Sequence, residues 1–164
     1  MTLKNLMTEL RQALADWQGQ VQDENASWRV KGVVDTNKKV YAIPQDTKVI
    51  SKIFEICLLP RLMQFAKSHQ LQLELPSDQN VYPDVTLTDR RGVRYAIDLK
   101  SSYRRSEKTI NGLTLGAFTG YFRNRTSHKN VVHPYGDYRH HLVLGVLYSL
   151  CPTADQNIMY DLDA

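Results

Sequence analysis

Two aspartates and a lysine occur at strand-like spacing in residues 82–103, which read YPDVTLTDRRGVRYAIDLKSSY. Alternate side chains of a β-strand share a face, so Asp98 and Lys100 are expected to project from the same side of their strand. Asp84 begins the preceding strand-like run, on the face opposite the apolar residues of that run. The short TDRRG segment between the runs favours an antiparallel hairpin. The pattern therefore predicts that two carboxylates and an ammonium group meet on one side of paired strands.

This set of side chains suits hydrolysis of a phosphodiester bond with the help of a hard divalent cation. Mg²⁺ prefers carboxylate oxygens as ligands, and a bound cation lowers the pKa of its water to supply hydroxide. A lysine on the same face can position or deprotonate that water and offset charge in the transition state. Pro83-Asp84 followed by Asp98-Leu99-Lys100 is a nuclease-type PD…DxK arrangement. The alternatives are an edge-strand hairpin with solvated charges and a surface ion pair between Asp98 and Lys100.

The distribution of charge indicates a polyanionic partner. The chain of 164 residues has a net charge of +4 and a pI of about 9.1. Residues 100–130 contain seven Lys or Arg and one acid, which gives +6 in that stretch, whereas residues 1–99 carry +1 and residues 131–164 carry −3. Aromatic residues alternate with the basic ones, as in surfaces that bind DNA or RNA. A solvated basic face would have the same composition.

The bulk composition predicts one domain over residues 1–164. The chain is 42% hydrophobic, and no apolar run approaches the ~20 residues of a membrane span. The charged, amphipathic start does not resemble a secretory signal. Cys57 and Cys151 lie in apolar surroundings and lack paired or metal-like spacing, which predicts buried thiols and a reducing, cytoplasmic location. The histidines at 133, 140 and 141 lack a third ligand at suitable spacing and are expected to be structural.

The elements that position the candidate residues follow from periodicity and turn signals. Helices are predicted over residues 2–18 and from an N-cap at Asp46 to about His69, with a bend or break at Pro60. Strands are predicted over 28–34, 39–43, 71–75, 84–88, 94–100 and 140–150. Residues 101–113 are predicted to form a loop, and 114–124 fit helix or strand equally.

Five segments of this sequence resemble the type II restriction endonucleases of the PD-(D/E)xK nuclease superfamily. They are DTKVISKIFE (46–55), QNVYPDVTL (79–87), AIDLKSSY (96–103), LTLGAFTGYFRN (113–124) and KNVVHPYGDY (129–138). They occur in the family's order with similar spacing, and the resemblance covers about residues 24 to 150. It implies an α/β fold with a restriction-endonuclease-like core, a mixed central β-sheet flanked by helices. It also implies Mg²⁺-dependent cleavage of double-stranded DNA by a homodimer in a restriction–modification system.

The resemblance further implies roles for individual residues. Asp84 and Asp98 match the family's metal-binding catalytic carboxylates, and Lys100 matches its catalytic lysine. Glu55 matches an acid on the neighbouring helix that completes the catalytic and metal-binding set. By its own surroundings, Glu55 would equally be a charge on a helix surface.

The implied DNA contacts lie on both sides of this set. Gln79 and Asn80 match a loop that approaches the minor groove. The remaining matches are the backbone-contacting Ser101, Ser102 and Tyr103, and the more weakly supported Thr114, Arg123 and Lys129. The N-terminal helix and the strands within residues 28–43 match elements of the dimer.

One departure from the family concerns the length of the chain. The family's chain continues past residue 164, and that continuation carries the loop that reads base edges in the major groove. We therefore expect a single nuclease domain that has the catalytic residues and lacks the C-terminal DNA-recognition part. Two other interpretations are a remnant that only binds DNA or a partner chain, and a related nuclease for repair or RNA. Metal-dependent cleavage would distinguish an enzyme from a binding module.

Overall fold

A computed structural model describes residues 2–25, 28–44, 46–78, 80–113, 120–149 and 159–161. The fold is α/β. Its helices are α1 (Leu3–Val21), α2 (Thr47–Ser68) and α3 (Gly120–Arg123), and its strands are β1 (Gly32–Val34), β2 (Lys39–Ala42), β3 (Gln72–Glu74), β4 (Val85–Thr88), β5 (Arg94–Tyr103), β6 (Tyr138–Tyr148) and β7 (Met159–Asp161). None of the helices in the described ranges is long and apolar enough to cross a membrane.

Two sheets organise the strands. The larger has the order β3-β4-β5-β6, in which β4 is antiparallel to both neighbours and β5 is parallel to β6. It is therefore the mixed sheet that the family resemblance implies. The smaller sheet has the order β1-β2-β7 and is antiparallel throughout. This restriction-endonuclease-like α/β architecture confirms the predicted fold class.

Strand β5 is longer and more central than predicted. It continues through Tyr103 instead of ending at Lys100, and it pairs with β6 from Arg94 to Tyr103. Because β5 has a neighbour on each side, the interpretation of the hairpin as a sheet edge is wrong. Thr86 and Ala96, on the same face as the acids, are fully buried, so this face is covered at the centre of the sheet.

The second helix has the predicted N-cap at Asp46, but Pro60 does not split it. The Asp46 side chain accepts hydrogen bonds from the backbone N–H groups of Lys48 and Val49, which satisfies two free donors of the first turn. Pro60 lies inside α2, which continues as one helix to Ser68. The carbonyl that loses its helical partner belongs to Ile56, whose residue surface is 63% exposed, so water can replace the missing donor.

Two other segments differ from the sequence-based expectation. Of the strand predicted over 28–34, the structure has β1 at Gly32–Val34, and Trp28 forms a single bridge with Gln22. Of the undecided segment 114–124, residues 120–123 form the short helix α3, and 114–119 lie outside the described residues.

The core lies between the two long helices and the larger sheet. Leu6 of α1 and Leu62 of α2 are fully buried, as is Leu87 of β4, and all three belong to one apolar cluster. Phe54 of α2 stacks on Trp28, with ring centroids 5.0 Å apart. Helix α2 also lies beside β5, where Ser51 hydrogen-bonds Ser101, so both elements contribute side chains to the cleft described next.

Candidate active site

The β4–β5 hairpin brings the predicted acids and lysine together. In the observed register Val85 is opposite Ile97, which places Asp84, one residue earlier, opposite Asp98. The Lys100 Nζ lies 2.7 Å from Asp98 Oδ2. The two carboxylates and the ammonium group therefore occupy one face of the paired strands, the geometry expected from the alternation of the sequence.

These groups line an open cleft of about 670 Å³. Asp98 is largely buried, with 12% of its side chain exposed, whereas the Lys100 side chain is 22% exposed. The other polar and aromatic residues that line the cleft include Lys52, Glu55, Asp78, Asn80, Tyr82 and Tyr121. The cleft thus joins residues from α2, the hairpin and α3.

The environment of Asp84 disfavours its charge. Burial, the largest cause, and the neighbouring Asp98 carboxylate raise the pKa of Asp84, which is about 6 in this environment. The Leu99 N–H and the Lys100 ammonium act in the opposite direction. A cation placed between the two carboxylates would relieve their repulsion, and hard oxygen donors of this kind suit Mg²⁺. The donor set therefore fits the predicted metal.

Glu55 lines the same cleft but is engaged elsewhere. It forms an ion pair with Lys52, one helical turn earlier on α2. Within the described part of the chain, no group of three or more His, Cys, Asp or Glu side chains is arranged to hold a metal ion. The structure thus places Asp84 and Asp98 face to face and Glu55 beside them in a separate ion pair.

A second cleft continues along β5 past the carboxylates. Asn80, which is exposed and has a left-handed backbone with φ of 63°, lines both clefts. Ser101 and Tyr103 line the second cleft, and the Ser101 hydroxyl hydrogen-bonds Ser51 of α2. Ser102 is buried, and its hydroxyl donates to the Asn111 carbonyl over 2.6 Å, so it anchors the loop that follows β5.

Of the other predicted DNA contacts, the structure describes Arg123 and Lys129. Arg123 and Lys129 are exposed and line neither cleft. Gln79 and Thr114 fall outside the described residues. The predicted roles of all these residues stay predictions.

Sequence reasoning missed an aromatic cluster behind the carboxylates. Tyr82 stacks on Tyr121 with ring centroids 4.9 Å apart, and its hydroxyl hydrogen-bonds His141 Nδ1 over 2.7 Å. Tyr135 stacks on His141 at 3.7 Å, which gives this histidine the structural place expected from the sequence. The available signal was the position of Tyr82 directly before Pro83-Asp84, together with the aromatic content of residues 118–138.

Comparison with known proteins agrees with this arrangement. The restriction endonuclease EcoRV family matches residues 24–164, which include α2, the hairpin and the carboxylates. The type II restriction enzyme EcoRV of Escherichia coli is 36% identical over 138 residues, which cover 83% of this chain and 56% of that enzyme. The chain therefore spans little more than half the length of this curated relative. With most of its residues matched, the chain belongs to the EcoRV restriction endonuclease family.

Proposed function

We propose that this chain is the catalytic part of a type II restriction endonuclease that hydrolyses phosphodiester bonds of double-stranded DNA with Mg²⁺. The observation that carries the proposal is the placement of Asp98 and Lys100, 2.7 Å apart, opposite Asp84 in an open cleft. Membership of the EcoRV family supports the choice of DNA as substrate, since the matched relative is a type II restriction enzyme.

Asp84 and Asp98 are the residues that would hold the cation, with Glu55 available beside them. A bound divalent cation would neutralise phosphate charge and lower the pKa of a coordinated water molecule. Partial burial of the carboxylates limits competition from bulk water and strengthens their interaction with any positive charge in the cleft.

Lys100 contributes a positive charge at the same place. Its ammonium group bonds to Asp98 over 2.7 Å and more weakly to the Leu99 carbonyl over 3.5 Å, which leaves one of its three N–H donors. That donor can hold a phosphate oxygen or orient the attacking water. The negative charge that develops on the pentavalent phosphoryl group in the transition state is then stabilised by a cation that is already in position. Preorganised electrostatics of this kind contribute to catalysis.

The surroundings of the cleft support a long polyanionic substrate. The second cleft follows β5 from Lys100 to Tyr103, and the loop beyond it exposes Arg104, Arg105 and Lys108. Positive side chains arranged along one direction contact successive phosphates of a nucleic acid backbone. The same stretch gave the local excess of +6 in the sequence.

We also propose that the protein acts as a homodimer through its smaller sheet. Val33 is 65% exposed, Val34 48% and Tyr41 44%, and all three lie on the β1–β2 hairpin. Val33 and Tyr41 are paired across the two strands and share one face of the hairpin, and exposed apolar side chains grouped on one face are typical of interaction surfaces. Light scattering should show a dimer for the wild-type chain and a monomer for Val33→Glu. A monomeric wild-type chain would contradict the proposed dimer. It would leave the proposed hydrolysis of DNA unaffected.

Supercoiled plasmid DNA gives the test of the proposed activity. The folded protein should nick or linearise the plasmid with Mg²⁺, and EDTA or the Asp98→Ala substitution should abolish cutting. Asp98→Ala should retain DNA binding in a gel-shift assay. A folded wild-type chain that binds DNA and never cuts it would favour a binding module over an enzyme.

A further inference from the structure

Tyr121 belongs to the catalytic cleft although no sequence motif singles it out. It lies on the short helix α3 and is only 7% exposed. It nevertheless lines the same cleft as Asp84, Asp98 and Lys100. What little of its surface is accessible therefore faces the space that contains the carboxylates.

Aromatic packing holds the Tyr121 ring in place. It stacks on Tyr82 at an interplanar angle of 19°, with Tyr135 at 6.0 Å and Phe122 at 4.6 Å. Tyr82 is itself fixed by two backbone hydrogen bonds. Its N–H donates to the Asn130 carbonyl, and its carbonyl accepts from the Val132 N–H. The phenol of Tyr121 is thus preorganised, with little conformational freedom to lose on binding a ligand.

The hydroxyl of Tyr121 differs from those of the neighbouring tyrosines. The Tyr82 hydroxyl bonds to His141, and the Tyr138 hydroxyl bonds to Thr86 over 2.8 Å. Among the residues that the structure describes, the Tyr121 hydroxyl has no hydrogen-bond partner. Burial, together with the nearby negative charges, raises the pKa of Tyr121, so the phenol stays protonated and can act as a donor.

Because the Tyr121 hydroxyl is not fully enclosed, a ligand in the cleft can reach it, and a strong acceptor can replace water as its hydrogen-bond partner. The cleft is expected to receive a phosphodiester, whose non-bridging oxygens are strong acceptors. We propose that the Tyr121 hydroxyl donates a hydrogen bond to a non-bridging oxygen of the scissile phosphate, which makes Tyr121 a further catalytic residue beside Asp84, Asp98 and Lys100. This inference rests on the proposed nuclease function.

Tyr121→Phe removes the hydroxyl and keeps the ring. Tyr135→Phe is the matched control, since Tyr135 belongs to the same aromatic cluster and does not line the cleft. Two readouts are compared, the rate of plasmid cleavage with saturating Mg²⁺ and the affinity for a fluorescein-labelled DNA duplex in EDTA. Thermal unfolding by circular dichroism checks that both variants fold as the wild type does.

Tyr121→Phe is expected to lower the cleavage rate by about 10- to 100-fold, as for loss of one hydrogen bond to a charged group, with a smaller loss of duplex affinity. Tyr135→Phe is expected to match the wild type in both readouts. If the wild type cleaves the plasmid and Tyr121→Phe cleaves it at the same rate, the inference about Tyr121 is wrong and the nuclease function stands. If the wild type binds the duplex without cutting, the nuclease function fails, and the affinity of Tyr121→Phe alone then decides whether the phosphate contact exists. A wild type that does not bind DNA overturns both.

Discussion

Asp84 accepts a hydrogen bond from the backbone N–H of Leu99 across the hairpin, with 2.6 Å between Oδ2 and N. Leu99 is the residue between Asp98 and Lys100, so the strand that carries one acid and the lysine also fixes the other acid. The contact stabilises a carboxylate that burial and Asp98 destabilise. The fold therefore maintains two acids face to face at a free-energy cost, and that cost can be measured.

We predict that Asp84→Asn stabilises the metal-free protein while abolishing cleavage. The pKa of Asp84 is about 6 in the folded protein against 3.8 as the ordinary value, so the native state binds the proton more tightly than the unfolded state. The unfolding free energy of the wild type consequently falls as the pH rises through that window. The asparagine variant lacks this loss and should be more stable by roughly 2 to 3 kcal/mol above about pH 7.

Urea unfolding in EDTA across this pH range provides the measurement. The extra stability of Asp84→Asn should vanish at pH values below the ordinary pKa of 3.8. There the Asp84 carboxyl is protonated in both the folded and the unfolded wild-type chain. Lys100 and Asp98 remain in both proteins, so their contribution largely cancels. The exposed Asp137→Asn variant is the control for loss of a carboxylate outside the cleft. Equal stability of Asp84→Asn and wild type at high pH would contradict the proposed cost.

The ion pair between Lys52 and Glu55 leads to a second prediction. If Glu55 assists the cation, Lys52 competes for its carboxylate. Glu55→Gln should then raise the Mg²⁺ concentration needed for half-maximal cleavage, and Lys52→Ala should lower it. In the Glu55→Gln background, Lys52→Ala should have little further effect, because the two substitutions act through one contact. Additive effects would show that Lys52 acts on the cation independently of Glu55. An unchanged Mg²⁺ requirement in Glu55→Gln would remove Glu55 from the proposed set.

The loop after β5 should contribute to DNA affinity through phosphate contacts. It is fixed to the sheet by hydrogen bonds from Arg104 N–H to the Tyr148 carbonyl and from Asn111 N–H to the Tyr103 carbonyl, each 2.8 Å. Replacing Arg104 by alanine should lower the slope of log affinity against log salt by about 0.9, the value for one phosphate contact.

Arg90→Ala is the control for this measurement. Arg90 is exposed in the β4–β5 turn, at the opposite end of the ten-residue strand β5, roughly 30 Å away. Fluorescence anisotropy over a range of salt concentrations gives both slopes. Identical slopes for the two variants would exclude a contact that is specific to the loop.

A buried hydrogen bond beneath the carboxylates should stabilise the sheet. Thr86 is fully buried and Tyr138 is 3% exposed, and their hydroxyls lie 2.8 Å apart. Thr86→Val removes the threonine partner of the tyrosine hydroxyl, which keeps its hydrogen bond with the His133 backbone, and should cost about 1 kcal/mol in unfolding free energy. Adding Tyr138→Phe should recover part of that loss, which urea unfolding of the single and double variants would measure. Strict additivity would mean that the hydroxyls do not interact.

The sequence was most informative where the signals were local. Alternation and a short turn predicted that Asp84, Asp98 and Lys100 share one face, because strand geometry alone determines which side chains are neighbours. The N-cap at Asp46 was predictable for the same reason, since the cap bonds to residues two and three positions away.

Features that depend on distant contacts were not predictable. Residues 101–103 are polar and read as a loop, but pairing with β6 extends β5 through Tyr103. Tyr121 lies in a segment that fitted helix or strand, and its place in the cleft depends on stacking against Tyr82, far away in the chain. The continuation of α2 through Pro60 likewise depends on solvent exposure of one helix face, which follows from how the helix packs.

The most direct test of the central claim compares two lysines in one plasmid-cleavage assay with saturating Mg²⁺. Lys100 contacts Asp98 in the cleft, whereas Lys67 is exposed in the last turn of α2. Lys100→Ala should lower the initial rate of strand cleavage by at least about 100-fold, as for loss of a positioned acid–base or electrostatic group, and Lys67→Ala should not change it. Wild-type rates for a folded Lys100→Ala variant would contradict the claim that the Asp84, Asp98 and Lys100 site carries out the cleavage.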